Sequence, residues 1–183
     1  MRVIGIDLGL KQFGVVVLGA DTVAVERNFL LSQTDDLGNF LVEIYNALHL
    51  LMNDIARYKD DVFVVVEKPV ALRGHAQVLE ELLGVVRLVC AMRMVPVLFV
   101  SPSSLKKFVV GSGVAKKSQL VLALYKKFGL EFFAEDLVDA FWLAYFGICF
   151  MSLPEDASLV RKIQVDKFRK KYSDLYKSLV FSG

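Results

Sequence analysis

Four acidic residues lie beside strongly apolar segments, where a carboxylate is normally costly. Asp7 and Glu67 each end a run of apolar, largely β-branched residues, and Asp136 and Asp139 precede a third apolar run. A carboxylate that loses water without a partner is destabilising or takes up a proton, so a cluster of such acids requires a cation. Mg²⁺ and Mn²⁺ prefer oxygen ligands. Any one of these acids could merely cap an element, but the four together predict a divalent metal site.

Basic residues are concentrated in the middle of the chain, although the net charge is only +2. Residues 82–130 contain no Asp or Glu. Their basic residues are Arg87, Arg93, Lys106, Lys107, Lys116, Lys117, Lys126 and Lys127. Because a solvated surface usually mixes both signs, this stretch favours contact with a polyanion whose phosphates the lysines neutralise. Simple decoration of helix surfaces remains the alternative, for Lys126 and Lys127 in particular.

The composition predicts a soluble protein. The chain has 183 residues, 55% of them hydrophobic, and a mean hydropathy of +0.50. Its longest apolar stretch, Ala140 to Leu153, is 14 residues long, whereas a spanning helix needs about 20. The chain begins on a strand pattern without a signal segment, so a cytoplasmic location is expected. Cys90 and Cys149 lie in apolar helical patterns without metal-like spacing, which predicts buried, reduced thiols.

The hydrophobic periodicity predicts one α/β domain over residues 1–183. The predicted strands are 2–8, 13–19, 22–32, 62–67 and 96–100, and the predicted helices are 35–58, 76–94, 103–109, 116–128, 135–151 and 157–180. Short turns between the first three strands require antiparallel pairing, and the later connections are long enough for parallel pairing. The expected core is a five-stranded mixed sheet flanked by helices, three strands antiparallel and the rest parallel. Residues 155–183 are predicted to form a basic helical C-terminal extension.

This order of elements resembles the ribonuclease-H-like fold, and four motifs resemble the RuvC family of Holliday junction resolvases. The motifs are Gly5-Ile6-Asp7-Leu8-Gly9, Phe13-Gly14-Val15, Val65-Val66-Glu67 and Asp136-Leu137-Val138-Asp139-Ala140. The segment from Leu105 to Gln119 is similar to the family's lysine-bearing stretch in its length, its glycines and its Lys-Ser-Gln. The resemblance covers about residues 2–151, and the C-terminal part departs from it.

The resemblance implies a homodimer that binds a four-way DNA junction and cuts two strands of like polarity, one in each active site. By motif, Asp7, Glu67, Asp136 and Asp139 are the catalytic, metal-binding acids, holding two Mg²⁺ or Mn²⁺ ions per site without a nucleotide cofactor. Two such ions would activate a water and stabilise the departing oxygen. By the same carry-over, Lys106 and Lys117 are functional lysines near the cut phosphate. The helix after Glu67 would form much of the dimer interface.

Two flanking sets of residues extend the expected DNA surface. Lys107 and Lys116 adjoin the functional lysines and are expected to contact DNA. Family members carry an aromatic residue shortly after the second acid that stacks on a base, but residues 68–75 contain none, and Val70 takes its place. Arg73 and His75 are expected to help open the junction instead, or to be solvated loop residues. The breadth of branched substrates and the cleavage preference therefore stay open.

Three other functions share parts of this pattern. The YqgF-like nucleases of RNA processing have the Gly-x-Asp-x-Gly strand, but are typically shorter and are not expected to carry the Gly111-Ser112-Gly113 lysine block. Actin-like ATPases and sugar kinases begin with a similar strand, but they need a second lobe that 183 residues do not provide. A non-cleaving protein that binds branched DNA is the third alternative, and the intact set of acids argues against it. The missing aromatic residue and the altered C-terminal part favour a phage-type member over a chromosomal one, and either product would act in a bacterial cytoplasm.

Overall fold

A mixed sheet forms the centre of the fold. The computed structural model describes residues 1–9, 11–19, 23–30, 36–56, 62–68 and 76–181. Its strands are β1 (Arg2–Leu8), β2 (Gln12–Leu18), β3 (Val23–Leu30), β4 (Val62–Glu67) and β5 (Val97–Val100), arranged in the order β3-β2-β1-β4-β5. The first three pair antiparallel, while β4 runs parallel to β1 and β5 parallel to β4. The predicted mixed α/β arrangement is confirmed.

Helices cover both faces of this sheet. They are α1 (Leu37–Ala56), α2 (Ala76–Met92), α3 (Pro102–Val110), α4 (Lys117–Phe128), α5 (Glu135–Met151), α6 (Leu159–Lys171) and α7 (Ser173–Phe181). Helices α1 and α2 pack on one face, and α5 packs on the other with α3, α4 and α6 around it. The two faces follow from strand alternation, since successive side chains of a strand point to opposite sides. In β1, Ile4 and Ile6 face α1 and α2, whereas Val3 faces α5.

Two glycines let α5 approach the sheet backbone closely. A Cβ atom added to Gly5 would overlap the carbonyl oxygen of Ala140 in α5. A Cβ on Gly14 in β2 would lie 2.5 Å from the carbonyl oxygen of Asp136. Both separations are far below a van der Waals contact, so only glycine fits at either position. The start of α5 is therefore positioned by backbone packed against backbone.

Helix α5 is the core helix that the sequence predicts. It is apolar on nearly all sides, and a helix of that kind is normally buried. Its central residues from Ala140 to Phe146 are all buried. The Trp142 indole N–H donates a hydrogen bond of 3.1 Å to the carbonyl oxygen of Leu120 in α4, which ties the two helices together. Among the helices within the described residues, none is both long and apolar enough to cross a membrane.

The C-terminal extension packs on the end of α5, but the prediction of one helix over residues 157–180 is wrong. The chain leaves helical geometry at Tyr172 (φ −118°, ψ 46°), which separates α6 from α7. The break lets Tyr176 reach the ring of Phe150 in α5 at 5.5 Å between centroids. From α6, the Arg169 guanidinium donates hydrogen bonds to the carbonyl oxygens of Cys149, Phe150 and Met151. These carbonyls end α5 and lack partners within the helix, so Arg169 acts as its C-terminal cap.

Local side-chain chemistry sets two helix starts, and the predicted state of the thiols is confirmed. Ser101 caps α3, its hydroxyl accepting a hydrogen bond from the backbone N–H of Ser104, and Pro102 occupies the first turn. Asp36 caps the start of α1 by accepting from the N–H of Asn39 at 3.0 Å. Cys90 and Cys149 are both buried free thiols. Single residue types that favour helix starts therefore explain where α3 and α1 begin.

Candidate active site

Asp7 and Glu67 are neighbours at the carboxyl ends of adjacent parallel strands. The pairing of β1 with β4 places Ile6 beside Val66, so the next residue of each strand is its acid. Val3 and Val65 pack in the cluster on the α5 side of the sheet. Because side chains alternate along a strand, Asp7 and Glu67 project toward that same side. The two central strands thus deliver two carboxylates to one end of the α5 layer.

Asp136 and Asp139 complete the acidic cluster from the first turns of α5. Their side chains are 21% and 15% exposed, and both contact one lysine, as expected for residues three apart on a helix. The Gln12 side-chain amide, at the start of β2, donates a hydrogen bond of 2.5 Å to Asp136 Oδ2. Acids in the first turn also interact favourably with the helix dipole. Asp136 is therefore held by the sheet as well as by its own helix.

Lys117 lies among these acids. Its Nζ is 3.0 Å from Asp139 Oδ2, 3.5 Å from Asp136 Oδ1 and 3.7 Å from Glu135 Oε2. Lys117 is the first residue of α4, and the Gln119 side chain accepts a hydrogen bond from the Lys116 N–H at 2.9 Å. This bond satisfies one of the N–H groups left open at a helix start. In the Lys117-Ser118-Gln119 motif, Gln119 thus caps the start of α4, and Lys117 contacts the acids.

The pKa values reflect a buried excess of negative charge. Burial, followed by the charges of Glu67 and Asp139, raises the pKa of Asp7 well above its ordinary value, and Lys117 opposes the shift. Burial and Asp139 raise the pKa of Glu67 to about 7, against Lys117 and Lys106. Burial also raises the pKa of Asp139. Burial alone would lower the pKa of Lys117, but Asp139, Asp7 and Asp136 raise it. The cluster therefore favours the binding of protons or of another cation.

A cleft opens beside the cluster, with a volume of about 110 Å³. Glu67, Asp139, Lys106 and Lys117 line it, together with apolar side chains from the first turns of α3 and α4. The structure thus brings six predicted site residues, Asp7, Glu67, Asp136, Asp139, Lys106 and Lys117, to one place. Lys107 and Lys116 are exposed on the same two helix regions. Arg73 and His75 lie outside the described residues.

The donor set fits a hard divalent cation. Among the described residues, no three acidic, histidine or cysteine side chains stand close enough together to hold a metal ion as they are. Lys117 instead neutralises Asp136 and Asp139. Within the described part of the chain, these four carboxylates outnumber the ammonium groups of Lys106 and Lys117, and burial already raises the pKa values of three of the four. Oxygen-only ligands with excess negative charge suit Mg²⁺ or Mn²⁺, provided that these side chains close around the ion.

Sequence reasoning missed two polar residues of this site. Gln12 supports Asp136, and Glu135 contacts Lys117 at the outer edge. The position of Gln12 follows from strand pairing. Asp7 pairs with Gly14, and Gln12, two residues before Gly14 in β2, lies on the same face of the sheet as Gly14. Glu135 carries no such signal, since exposed acids are common in the first turn of a helix.

Comparison with known proteins places this chain in a family. The family profile described as crossover junction endodeoxyribonuclease RuvC matches residues 3–145. The chain is 32% identical over 125 residues to the crossover junction endodeoxyribonuclease RuvC of Ruegeria pomeroyi, covering 66% of this chain and 74% of that one. It is 30% identical over 152 residues to that of Carboxydothermus hydrogenoformans, covering 80% and 95%.

Solved structures agree on the fold. The Thermus thermophilus RuvC structure has a TM-score of 0.65 at 22% identity, covering 79% of this chain and 91% of that one. T. thermophilus RuvC in complex with a Holliday junction substrate has a TM-score of 0.66 at 23% identity, covering 79% and 90%. At these identities the likeness establishes a shared, ribonuclease-H-like fold. The profile match and the sequence relatives go further, and the chain belongs to the RuvC family of crossover junction endodeoxyribonucleases.

Proposed function

We propose that this protein is a metal-dependent, structure-selective endodeoxyribonuclease that resolves four-way DNA junctions by paired symmetric nicks. The observation that carries the proposal is the meeting of Asp7, Glu67, Asp136 and Asp139 with Lys117 at one end of the sheet, in a chain of the RuvC family. Family membership favours this reaction over RNA processing by a YqgF-like nuclease. The complete set of acids favours cutting over binding alone. The proposed place of action is the bacterial cytoplasm.

The four acids would hold the metal, proposed as two Mg²⁺ or Mn²⁺ ions per site. Bound there, such ions lower the pKa of water and stabilise charge on the phosphate and the departing oxygen. The fold supplies rigidity, because Asp7 and Glu67 end paired strands, and Gln12 and the close contact at Gly14 hold Asp136 in place. Positions on strands and buried helices are more exact than positions on loops.

The lysines act on the phosphate rather than on the metal. Lys117 and Lys106 line the cleft beside Glu67 and Asp139, so a phosphate that enters would meet both ammonium groups. A lysine offers a compact positive charge that supports the more negative transition state. Lys107 and Lys116 are exposed beside these two lysines, and we propose that they contact the flanking DNA backbone, as Arg73 and His75 would. A polyanion on such a surface binds more weakly as salt rises.

Cleavage of synthetic DNA tests the proposed function. The substrates are a four-way junction, a linear duplex, a three-way fork and an RNA-containing hybrid, each with magnesium. Wild-type protein should cut the junction by symmetric paired nicks. Asp7→Asn should bind the junction but not cut it, because an amide cannot neutralise metal ions. Asp174→Asn, in the exposed first turn of α7, is the matched control and should cut normally. Junction cutting by Asp7→Asn near the wild-type rate would contradict the assignment.

A two-fold dimer would give two coordinated cuts, since it holds two active sites in a fixed relation. The seam proposed here is the exposed side of α2. Leu82 and Leu83 of this helix are fully buried in the cluster on the sheet. Leu88 and Met92 are 54% and 60% exposed on the opposite side. These two side chains form an exposed apolar surface that is not buried in the core of one chain.

The seam is tested by measuring mass in solution. Leu88→Glu should convert the dimer to a monomer in sedimentation, because it buries a charge in the interface. Leu159→Glu is the matched control on α6, where Leu159 is 72% exposed, and it should stay dimeric. If wild-type protein is monomeric even with junction DNA, the dimer is wrong. A dimer that survives Leu88→Glu has its interface elsewhere.

A further inference from the structure

Phe133 is fully exposed, with a relative accessibility of 108%. It lies in the connection between α4 and α5, where exposed and partly buried residues alternate over residues 131–135. Leu130, Phe132 and Ala134 pack against the core, and the Phe132 ring lies 5.9 Å from that of Phe141. Phe133 therefore points outward from an anchored backbone. An isolated exposed hydrophobic residue is ordinary, so its position decides whether it matters.

That position is the edge of the acidic site. Phe133 precedes Asp136 by three residues, so their Cα atoms are at most about 11 Å apart. Val114, which is 92% exposed, precedes Lys117 by the same number of residues. Since Lys117 contacts Asp136 and Asp139, the starts of α4 and α5 adjoin, and the two loops leading into them border one site. Two exposed apolar side chains thus precede the helix starts that carry Lys117 and the two aspartates.

The charges around Phe133 indicate what could cover it. Its outward-facing neighbours are Glu131 and Glu135, both exposed, which repel a phosphate. The exposed lysines Lys107 and Lys116 lie on the other elements of the site and attract the backbone. A DNA base is uncharged and presents an apolar face, and aromatic side chains stack on any base in this way. An unpaired base is therefore the ligand that suits an aromatic ring between two acids.

We propose that Phe133 stacks on a base that becomes unpaired where strands cross, next to the phosphate that is cut. This inference rests on the proposed function, because it needs a junction held at the acids. Stacking on Phe133 would offset part of the cost of unpairing. Stacking of one base typically changes affinity by roughly 5- to 150-fold, and the same factor should appear in cleavage of a fully paired junction.

The first arm measures stacking without cutting. Junctions carry 2-aminopurine at the crossover, and the proteins carry Asp7→Asn so that DNA stays intact. Binding should raise 2-aminopurine fluorescence as the base leaves the duplex, and adding Phe133→Ala should remove most of that rise. Phe133→Trp should retain it. Met94→Ala is the matched control, since Met94 is 93% exposed and precedes β5 at the opposite end of the sheet from Glu67.

The second arm measures cleavage on two junctions, one fully paired and one with mismatched bases at the crossover. Phe133→Ala should cut the paired junction at least about fivefold more slowly and the mismatched one nearly normally, because unpairing is already done. Equal loss on both junctions, or no loss on either, overturns the inference. If wild-type protein does not cut junctions, the proposed function fails, while the fluorescence arm still decides the role of Phe133. An unchanged melting temperature shows that Phe133→Ala folds.

Discussion

Replacing Glu67 by glutamine should stabilise the protein when no metal is bound and the pH is high. The substitution keeps the size of the side chain and removes its charge. In the folded protein Glu67 keeps its proton to about pH 7, whereas the ordinary pKa of a glutamate is 4.5. Between these values the folded state holds more protons than the unfolded state, so stability falls as the pH rises. The charge on Glu67 thus opposes folding above this window.

The size of the effect follows from the two pKa values. The difference between 4.5 and about 7 corresponds to about 3 kcal/mol. Wild-type protein should lose up to this amount between about pH 4 and about pH 8, and Glu67→Gln should not. For a chain of 183 residues, about 3 kcal/mol is a rise of roughly 6–12 °C in melting temperature. Near pH 4 the two proteins should be equally stable.

Fluorescence of the single tryptophan, Trp142, reports the unfolding, because its indole is fully buried. Urea titrations without metal, at about pH 4 and, with EDTA, at about pH 8, give the free energies of unfolding. Glu155→Gln is the matched control, since Glu155 is exposed and outside the cluster. If Glu67→Gln is no more stable than wild type at about pH 8 with EDTA, the argument from buried charge is refuted. With excess magnesium the order should reverse, because a ligand stabilises the state that binds it.

Two further substitutions test how the site is positioned and charged. Lys117→Ala should slow single-turnover junction cleavage by about 10²- to 10³-fold with little change in affinity, as for a group that acts on the transition state. Lys126→Ala, on an exposed position of α4, should cut at the wild-type rate, and equal defects would contradict the assignment. Gly14→Ala should destabilise the protein by about 1–3 kcal/mol in urea titrations and slow cleavage, since the added Cβ pushes on the backbone at Asp136. Gly84→Ala, where a Cβ meets nothing within 4 Å, should be neutral or slightly stabilising.

The acidic cluster could be predicted because each acid is tied to a strong local signal. Asp7 and Glu67 follow apolar runs typical of buried strands, and such strand ends meet at one edge of a parallel pair. Asp136 and Asp139 open a helix that is apolar on every side, so that helix has to lie on the sheet. Secondary structure and burial alone then bring the four residues together.

Other features depend on tertiary packing that no local pattern records. The break at Tyr172 follows neither a glycine nor a proline, and the packing of Tyr176 on Phe150 beyond it has no local sequence signal. The apolar residues of α2 look alike in sequence, yet Leu82 is buried in the core and Leu88 is exposed. The position of Lys117 among the acids depends on how two helix starts meet. Long-range contacts decide each of these.

The close approach of α5 to Gly5 and Gly14 has a consequence for how this fold tolerates sequence drift. Where a helix rests on side chains, every change of volume beneath it shifts the helix and whatever it carries. Here the start of α5 rests on main-chain atoms, which substitutions leave in place. The apolar layer further along the helix is then free to exchange one hydrophobic residue for another while the carboxylates keep their separation. Substitutions across much of this core should then leave the placement of Asp136 unchanged, so long as those two positions keep no side chain.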